Sequence, residues 1–316
     1  MVGFQAFFKT NFIDRTNYPL PMEKLTTFSL LESSRWSDYE LLDSGDGLKL
    51  ERFGSYTFIR PEVQAMWRRA LPESNWSSAD AVFQPTSEES GGHWMLKKKI
   101  PERWEMKYDS IRFWAMTTPG RHLGVFPETA SHWNYMADSI RKANRPVKIL
   151  NLFGYTGLAS LVAAEAGAQV THVDASKKSV TWARENQSLS GLNDKPIRWI
   201  VDDALKFIQR EDRRGAQYDG IVLDPPKFGR GPKGEVWEVY KSLPNLLELC
   251  CAVLSDKPLF LIITVYAVKA SAIHLGQALQ DVMSKSKGSV ESGELVTREK
   301  SAGRLLSQAV FARWSS

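Results

Sequence analysis

Residues 147–174 read VKILNLFGYTGLASLVAAEAGAQVTHVD. Val147–Leu152 is a short apolar run of the kind a buried parallel strand shows. It ends in Phe153-Gly154-Tyr155-Thr156-Gly157, a tight loop with two glycines. Leu158–Ala166, rich in Ala and Leu, reads as a helix, with Gly167 as its C-terminal stop. Gln169–Val173 is a second strand and Asp174 closes it. The unit is β-loop-α-β, with an acid about twenty residues past the first loop glycine, which suits a nucleoside cofactor. The glycines let a ligand approach the backbone, the helix start offers free N–H groups, and the carboxylate can accept from both ribose hydroxyls. A dinucleotide fingerprint would read G-x-G-x-x-G. Only Gly154 and Gly157 are present, so a pyrophosphate is poorly supplied.

Outward from this unit, the pattern repeats. Ser176–Ser188 is a helix, Ile197–Val201 a third strand followed by Asp202-Asp203-Ala204, and Ala204–Arg210 a helix. Tyr218–Leu223 is a fourth strand ending in Asp224-Pro225-Pro226-Lys227-Phe228, and Gly229–Gly234 is a polar loop. Leu243–Leu254 is a helix, Leu259–Val265 a fifth strand and Ala270–Met283 a helix. Glu294–Arg298 and Ser307–Trp314 are two closing strands with no helix between, hence antiparallel. The alternation predicts an α/β fold, a doubly wound, mostly parallel seven-stranded sheet with an antiparallel final hairpin.

Ligands of such sheets bind outside the carboxyl ends of the strands. Those ends carry Phe153–Gly157, Asp174, Asp203 and Asp224–Phe228. The plain reading of each acid is a helix N-cap, which Asp favours; one glycine loop and three acids at successive ends point instead to one crevice. Consecutive prolines remove two N–H donors and fix an extended turn. Asp224 and the Pro225 carbonyl can then accept from an amine, and Phe228 offers a flat face to a planar base.

The glycine loop resembles the first motif of class I S-adenosylmethionine-dependent methyltransferases, and Asp224–Phe228 resembles the D/N-P-P-x motif of those acting on nucleobase or amide nitrogens. The DPPKF form, LNLFGYTG and GVFPE (Gly124–Glu128) are most similar to bacterial large-subunit rRNA methyltransferases that modify cytosine C5 or guanine N2. The resemblance covers roughly residues 100–316 and implies S-adenosyl-L-methionine as cofactor and rRNA as partner. Carried onto this chain, it implies cofactor contacts from Asn151, Phe153, Gly154, Tyr155, Thr156, Gly157, Asp174, Ala175, Ser176, Asp203, Ala204 and Asp224. It implies catalytic roles for Asp224, Pro225, Pro226 and Phe228, and substrate contacts from Phe126, Lys227 and Phe228. Two departures stand out. Residues 1–100 show no pseudouridine-synthase-like RNA-binding domain. Cytosine C5 chemistry needs a thiolate, which the family places just after the fifth strand, where this chain reads Thr264-Val265-Tyr266. Cys250 and Cys251 lie before that strand, in a helix, and are expected in the core.

The first part of the chain reads differently. Residues 1–38 lack a period and are expected as an irregular arm; residues 39–126 as a small antiparallel β-rich accessory domain; residues 127–316 as the methyltransferase domain. Strands are predicted at Tyr39–Leu42, Leu48–Arg52, Ser55–Ile59, Ala81–Gln84, His93–Lys97 and, by strict alternation, Arg103–Tyr108 and Ile111–Ala115. A short helix is expected over Pro61–Ala70 and an amphipathic one over Glu128–Ala143. Lys97, Lys98 and Lys99 are either an edge-strand guard or phosphate contacts.

With 316 residues, 43% hydrophobic, the chain can bury a large core. No run of eighteen apolar residues predicts a membrane span, and no secretory leader or metal set is expected. Two adjacent cysteines form no disulfide framework, and a cytoplasmic setting is the simplest fit. A formal charge of +5 permits a nucleic-acid partner. The reading is a methyltransferase acting on an exocyclic amine of an RNA base. Its rivals are a methyltransferase for a protein or small molecule, and an RNA-binding protein on the same fold without turnover.

Overall fold

The computed structural model describes residues 27–33, 36–86, 91–266 and 269–316. Most of the expected arm thus lies outside the described residues. The N-terminal part contributes β1 (Thr27–Glu32), β2 (Tyr39–Gly45), β3 (Leu48–Phe53), β4 (Tyr56–Pro61), α1 (Glu73–Ser77), β5 (Ala81–Pro85), β6 (Gly92–Leu96), β7 (Trp104–Tyr108) and β8 (Ile111–Ala115). A 3-10 turn at Pro127–Thr129 then leads into α2 (Ala130–Ala143), β9 (Lys148–Leu152), α3 (Leu158–Glu165), β10 (Gln169–Asp174), α4 (Lys177–Leu189), β11 (Ile197–Val201), α5 (Ala204–Arg213) and β12 (Gly220–Leu223). The chain ends with β13 (Phe228–Arg230), β14 (Val236–Glu238), α6 (Val239–Ala252), β15 (Phe260–Val265), α7 (Ala272–Val282), β16 (Ser289–Arg298) and β17 (Leu305–Ser315).

The main sheet runs β1-β16-β17-β15-β12-β9-β10-β11. Strands β15, β12, β9, β10 and β11 are parallel, and β17 is antiparallel to both β15 and β16. The central strands are largely buried because helices cover both faces: every residue of β15 is buried, and all but Lys148 of β9. This is the expected doubly wound sheet with its final hairpin. One strand more is present. β1, within the stretch expected to be irregular, pairs parallel with β16. Phe28 and Leu30 stay exposed, so the segment shows no buried period to read. Gly293 makes room for it, since a Cβ there would lie 1.7 Å from the Ser29 carbonyl oxygen.

The accessory sheet runs β2-β3-β4-β5-β6, with β7-β8 as a separate hairpin. It is antiparallel apart from the β4–β5 pair, which is parallel. The helix expected over Pro61–Ala70 does not form; the helix is α1, further on. The backbone of 62–71 bonds to the β2–β3 turn instead. Asp46 N–H donates to the Trp67 carbonyl at 2.7 Å, and Asp43 accepts from the N–H groups of Ala70 and Leu71. A buried carboxylate that collects backbone donors outcompetes one marginal turn of helix.

The two parts are bolted together at the β16–β17 tip. β2 shifts register between Leu41 and Asp43, and a bulge of this kind frees carbonyls from the ladder. Lys300 and Ser301 donate their N–H groups to the Leu41 and Leu42 carbonyls at 2.9 and 3.1 Å. Ser301 Oγ adds a bond to Asp43 Oδ1 at 2.6 Å, and Lys49 Nζ one to Gln308 Oε1 at 2.8 Å. The accessory sheet is therefore held over the carboxyl ends of the central strands.

Candidate active site

A cleft of about 1940 Å³ lies between those strand ends and the accessory part. Phe153 and Tyr155 after β9, Asp174 at the end of β10, Asp203 after β11, and Asp224 and Phe228 after β12 line one side. Phe83, Arg121 and His122 line the other. The four strand ends singled out in the sequence do meet in one crevice.

The glycine loop is held in a strained form. Phe153, Tyr155 and Gly157 have φ of 58°, 49° and 86°, and the two non-glycine residues occupy a region disfavoured by their Cβ atoms. Asp174 braces Tyr155: Oδ2 accepts from Tyr155 N–H at 2.9 Å, while Oδ1 accepts from Ser176 N–H at 2.8 Å. Burial pushes this carboxyl up, against the two backbone donors. Burial and the neighbouring Asp174 together raise the Tyr155 phenol to about 12. Under the loop, Asn151 Nδ2 donates to Ser160 Oγ at 2.9 Å, and Ser160 Oγ sits 3.0 Å from His172 Nδ1. His172 fills the space behind Gly154, where a Cβ would lie 2.4 Å from its Cε1. Its burial drops the imidazole to about 3, so it is a neutral packing group.

The expected cofactor residues thus divide. Phe153, Tyr155, Asp174, Ala175, Ser176, Asp203, Ala204 and Asp224 line the cleft. Asn151 and Thr156 are buried beneath it: Thr156 Oγ1 donates to the Gly124 carbonyl at 2.7 Å and the Thr156 carbonyl accepts from Asn186 Nδ2 at 3.0 Å. Both support the loop. Asp203 also caps α5, accepting from Lys206 N–H at 2.9 Å.

At the fourth end, the Pro226 carbonyl accepts from Trp237 Nε1 at 2.6 Å and the Lys227 carbonyl from Val239 N–H at 3.0 Å. The stretch expected as a polar loop, Gly229–Gly234, holds the end of β13 and the turn toward β14, and these bonds fix the Asp224–Phe228 turn to that hairpin. Phe228 is 53% exposed on the cleft rim. Asp224 borders the cleft, but its Oδ1 is buried without a hydrogen-bond partner. Burial, then the nearby Glu128, pushes this carboxyl well above the usual range.

Two residues absent from the expected site list complete this corner. Tyr266 follows β15, where the resemblance implies a cysteine for carbon methylation, and its hydroxyl, buried without a hydrogen-bond partner, lies within electrostatic reach of the Asp224 and Glu128 carboxyls. Its only signal was that position. Glu128, the last residue of GVFPE, is buried with its pKa raised by desolvation. Phe126, expected at the substrate, lines the cleft with its ring 5.1 Å from that of Tyr266.

Lys97, Lys98 and Lys99 are not brought to the cleft. Lys97 Nζ donates to the Ser77 carbonyl at 3.2 Å, and Lys98 Nζ sits 2.7 Å from Asp80 and 3.0 Å from the Ser78 carbonyl. They follow β6, one edge strand of its sheet. Cys250 is fully buried in α6, and Cys251 donates to the Val282 carbonyl at 3.3 Å. Beyond them Leu254 bridges Tyr218, before β12 begins, at the end of the sheet away from the cleft.

Residues 75–272 match the sequence profile of a family described as S-adenosylmethionine-dependent methyltransferase. A solved structure of a SAM-dependent methyltransferase from Agrobacterium tumefaciens is 48% identical, covers 93% of this chain and 97% of its own, and superposes with a TM-score of 0.88. A structure from Streptococcus mutans, at 18% identity, shares the fold with a TM-score of 0.68 over 89% of this chain and 76% of that one. Among curated relatives, the ribosomal RNA large subunit methyltransferase K/L of Shewanella sp. (strain ANA-3) is 40% identical over 111 residues, 34% of this chain and 16% of that protein. Its counterpart in Pseudomonas aeruginosa is 38% identical over 115 residues, 36% of this chain and 15% of that one. The chain thus matches only about one sixth of these relatives' length.

Proposed function

The chain belongs to the S-adenosylmethionine-dependent methyltransferases, and from this premise we propose that it methylates an exocyclic amine of a base in large-subunit ribosomal RNA, in the cytoplasm where ribosomes are built. The observation that carries the reading is the unpartnered Oδ1 of Asp224 at a rigid double-proline turn, with no thiol on the cleft wall. A buried acceptor without a donor costs about 1–3 kcal/mol unless a ligand supplies one. An amine N–H supplies it, whereas ring-carbon methylation would need a thiolate, and neither Cys250 nor Cys251 lines the cleft. The ribosomal substrate rests on the curated relatives and on the DPPKF turn.

S-adenosylmethionine, when bound, supplies an electrophilic methyl group. The residues present suit it. Asp174 offers acceptor lone pairs for ribose hydroxyls at the end of β10, Asp203-Ala204 borders the adenine side, and the ring faces of Phe153 and Tyr155 give apolar walls. Asp224 and the Pro225 carbonyl hold the amine and aim its lone pair, Phe228 stacks on its base, and Pro226 and Lys227 fix that turn. Alignment of this kind contributes roughly 7–11 kcal/mol to such transfers. A base would have to leave its stack to enter. In this reading residues 127–316 are the catalytic unit and residues 39–126 frame the substrate.

Calorimetry tests the first half: S-adenosylmethionine or its demethylated product should bind and NAD should not. Labelled methyl transfer to an unmodified large-subunit rRNA transcript tests the second.

A further inference from the structure

Methylating an amine releases a proton, and the cleft holds a group placed to take it. Asp224 Oδ1 and the Tyr266 hydroxyl are both buried and lack a hydrogen-bond partner, and both border the cleft. The Tyr266 hydroxyl interacts electrostatically with two carboxyls, Asp224 after β12 and Glu128 in the 3-10 turn before α2, without completing a hydrogen bond to either. Like-charged carboxylates are costly when dry, and both carboxyls are pushed up, which favours a single proton held across the pair.

We propose that Asp224, Tyr266 and Glu128 form a proton-accepting relay for the amine. The proposal rests on the amine-methylation reading above. A nitrogen–methyl bond forms as the sulfur–methyl bond breaks with its electron pair kept on sulfur. The proton held at Asp224 passes to the Tyr266 oxygen as Tyr266 gives its own proton to Glu128, which leaves Asp224 a carboxylate whose Oδ1 takes one N–H proton from the amine. The carboxylate becomes a neutral acid as the amine returns to neutrality, so charge and atoms balance. Asp224 is the catalytic residue; Glu128 acts through Tyr266 and is a positioning residue.

Glu128 has a setting that fits a reservoir. Lys49 and Glu51 on β3, Arg60 on β4 and Tyr39 on β2 face it electrostatically, besides Tyr266 and Asp224. Arg60 is already committed to Glu51, with Nε and Nη2 at 2.7 and 2.8 Å from its two oxygens. Lys49 lies 3.4 Å from Glu62 and 3.9 Å from Glu51. The two cations are thus shared among other acids, and burial wins: Glu128 is pushed up, not down.

The test has two arms. Thermal melts of wild type, Glu128→Gln, Asp224→Asn and the double variant are run at pH 5 and pH 8. A raised folded pKa gives stability at low pH that is lost as pH rises through it, so each variant should melt several degrees above wild type at pH 8 and with little gain at pH 5. The gains should be non-additive at pH 8 only, the mark of a coupled pair. Additive gains at both pH values would overturn the relay. This arm needs no substrate, so it stands whether or not rRNA is the acceptor.

In the second arm, an unmodified large-subunit rRNA transcript is methylated under single-turnover conditions. Glu128→Gln should slow transfer by about 10²-fold and flatten its rise with pH, Glu128→Asp should restore part of it, and S-adenosylmethionine affinity should hold within a few-fold. A Glu128→Gln rate equal to wild type at every pH would also overturn the proposal.

Discussion

Asp174 Oδ2 accepts a hydrogen bond from the backbone N–H of Tyr155 at 2.9 Å, so the acid that closes the second core strand clamps the loop that closes the first. The side chain proposed to hold a ribose is also bonded to the backbone of Tyr155, a non-glycine residue at positive φ. Each role depends on the other, because a loosened loop would move the cofactor wall.

Asp174→Ala should therefore do more than remove a ribose contact. Cofactor affinity should fall by the roughly 1.5–3 kcal/mol of a charge-assisted hydrogen bond, and the melting temperature should fall with it. Asp174→Asn keeps an acceptor oxygen and should lose less of both. Calorimetry and melts check this; unchanged affinity in the alanine variant would remove Asp174 from the ribose.

Gly154→Ala tests the floor of the loop. The new Cβ would lie 2.4 Å from the His172 ring, which Ser160 and the Trp199 ring, 4.7 Å away, hold in place. Overpacking of this sort costs about 1–3 kcal/mol. Urea unfolding should show that loss; a wild-type midpoint would mean that His172 has room to turn away.

Phe228→Ala separates stacking from packing. The ring is 53% exposed, so stability should change by no more than about 0.5 kcal/mol. Affinity for RNA should fall by about 1–3 kcal/mol, one stacking face. A large drop in melting temperature with normal RNA affinity would make Phe228 a plug.

The core was legible where burial imposes one period. β15 is buried throughout and β9 from Ile149 onward because helices cover both faces, and the acids that close β10 and follow β11 and β12 stand out at the ends of such runs. What escaped notice lacked that contrast. β1 is half-exposed and pairs through backbone alone, and β13 and β14 have three residues each. The segment after β4 lost its helix to Asp43, a contact no local window contains. Glu128 and Tyr266 lie far apart in the chain and become neighbours of Asp224 only in the folded protein.

The cysteines should prove inert. Burial raises both thiols, Cys250 most. Cys250→Ala and Cys251→Ala should fold and transfer methyl groups, and 5-fluorocytosine RNA should form no covalent adduct with the wild-type protein. An adduct lost on changing either thiol would restore carbon methylation.

Nucleoside mass spectrometry of an unmodified large-subunit rRNA transcript, after incubation with the protein and S-adenosylmethionine, reads the methylated atom itself. An N-methylated base, absent with Asp224→Ala, is the expected product; 5-methylcytosine, or a transcript left unmethylated, would contradict the account.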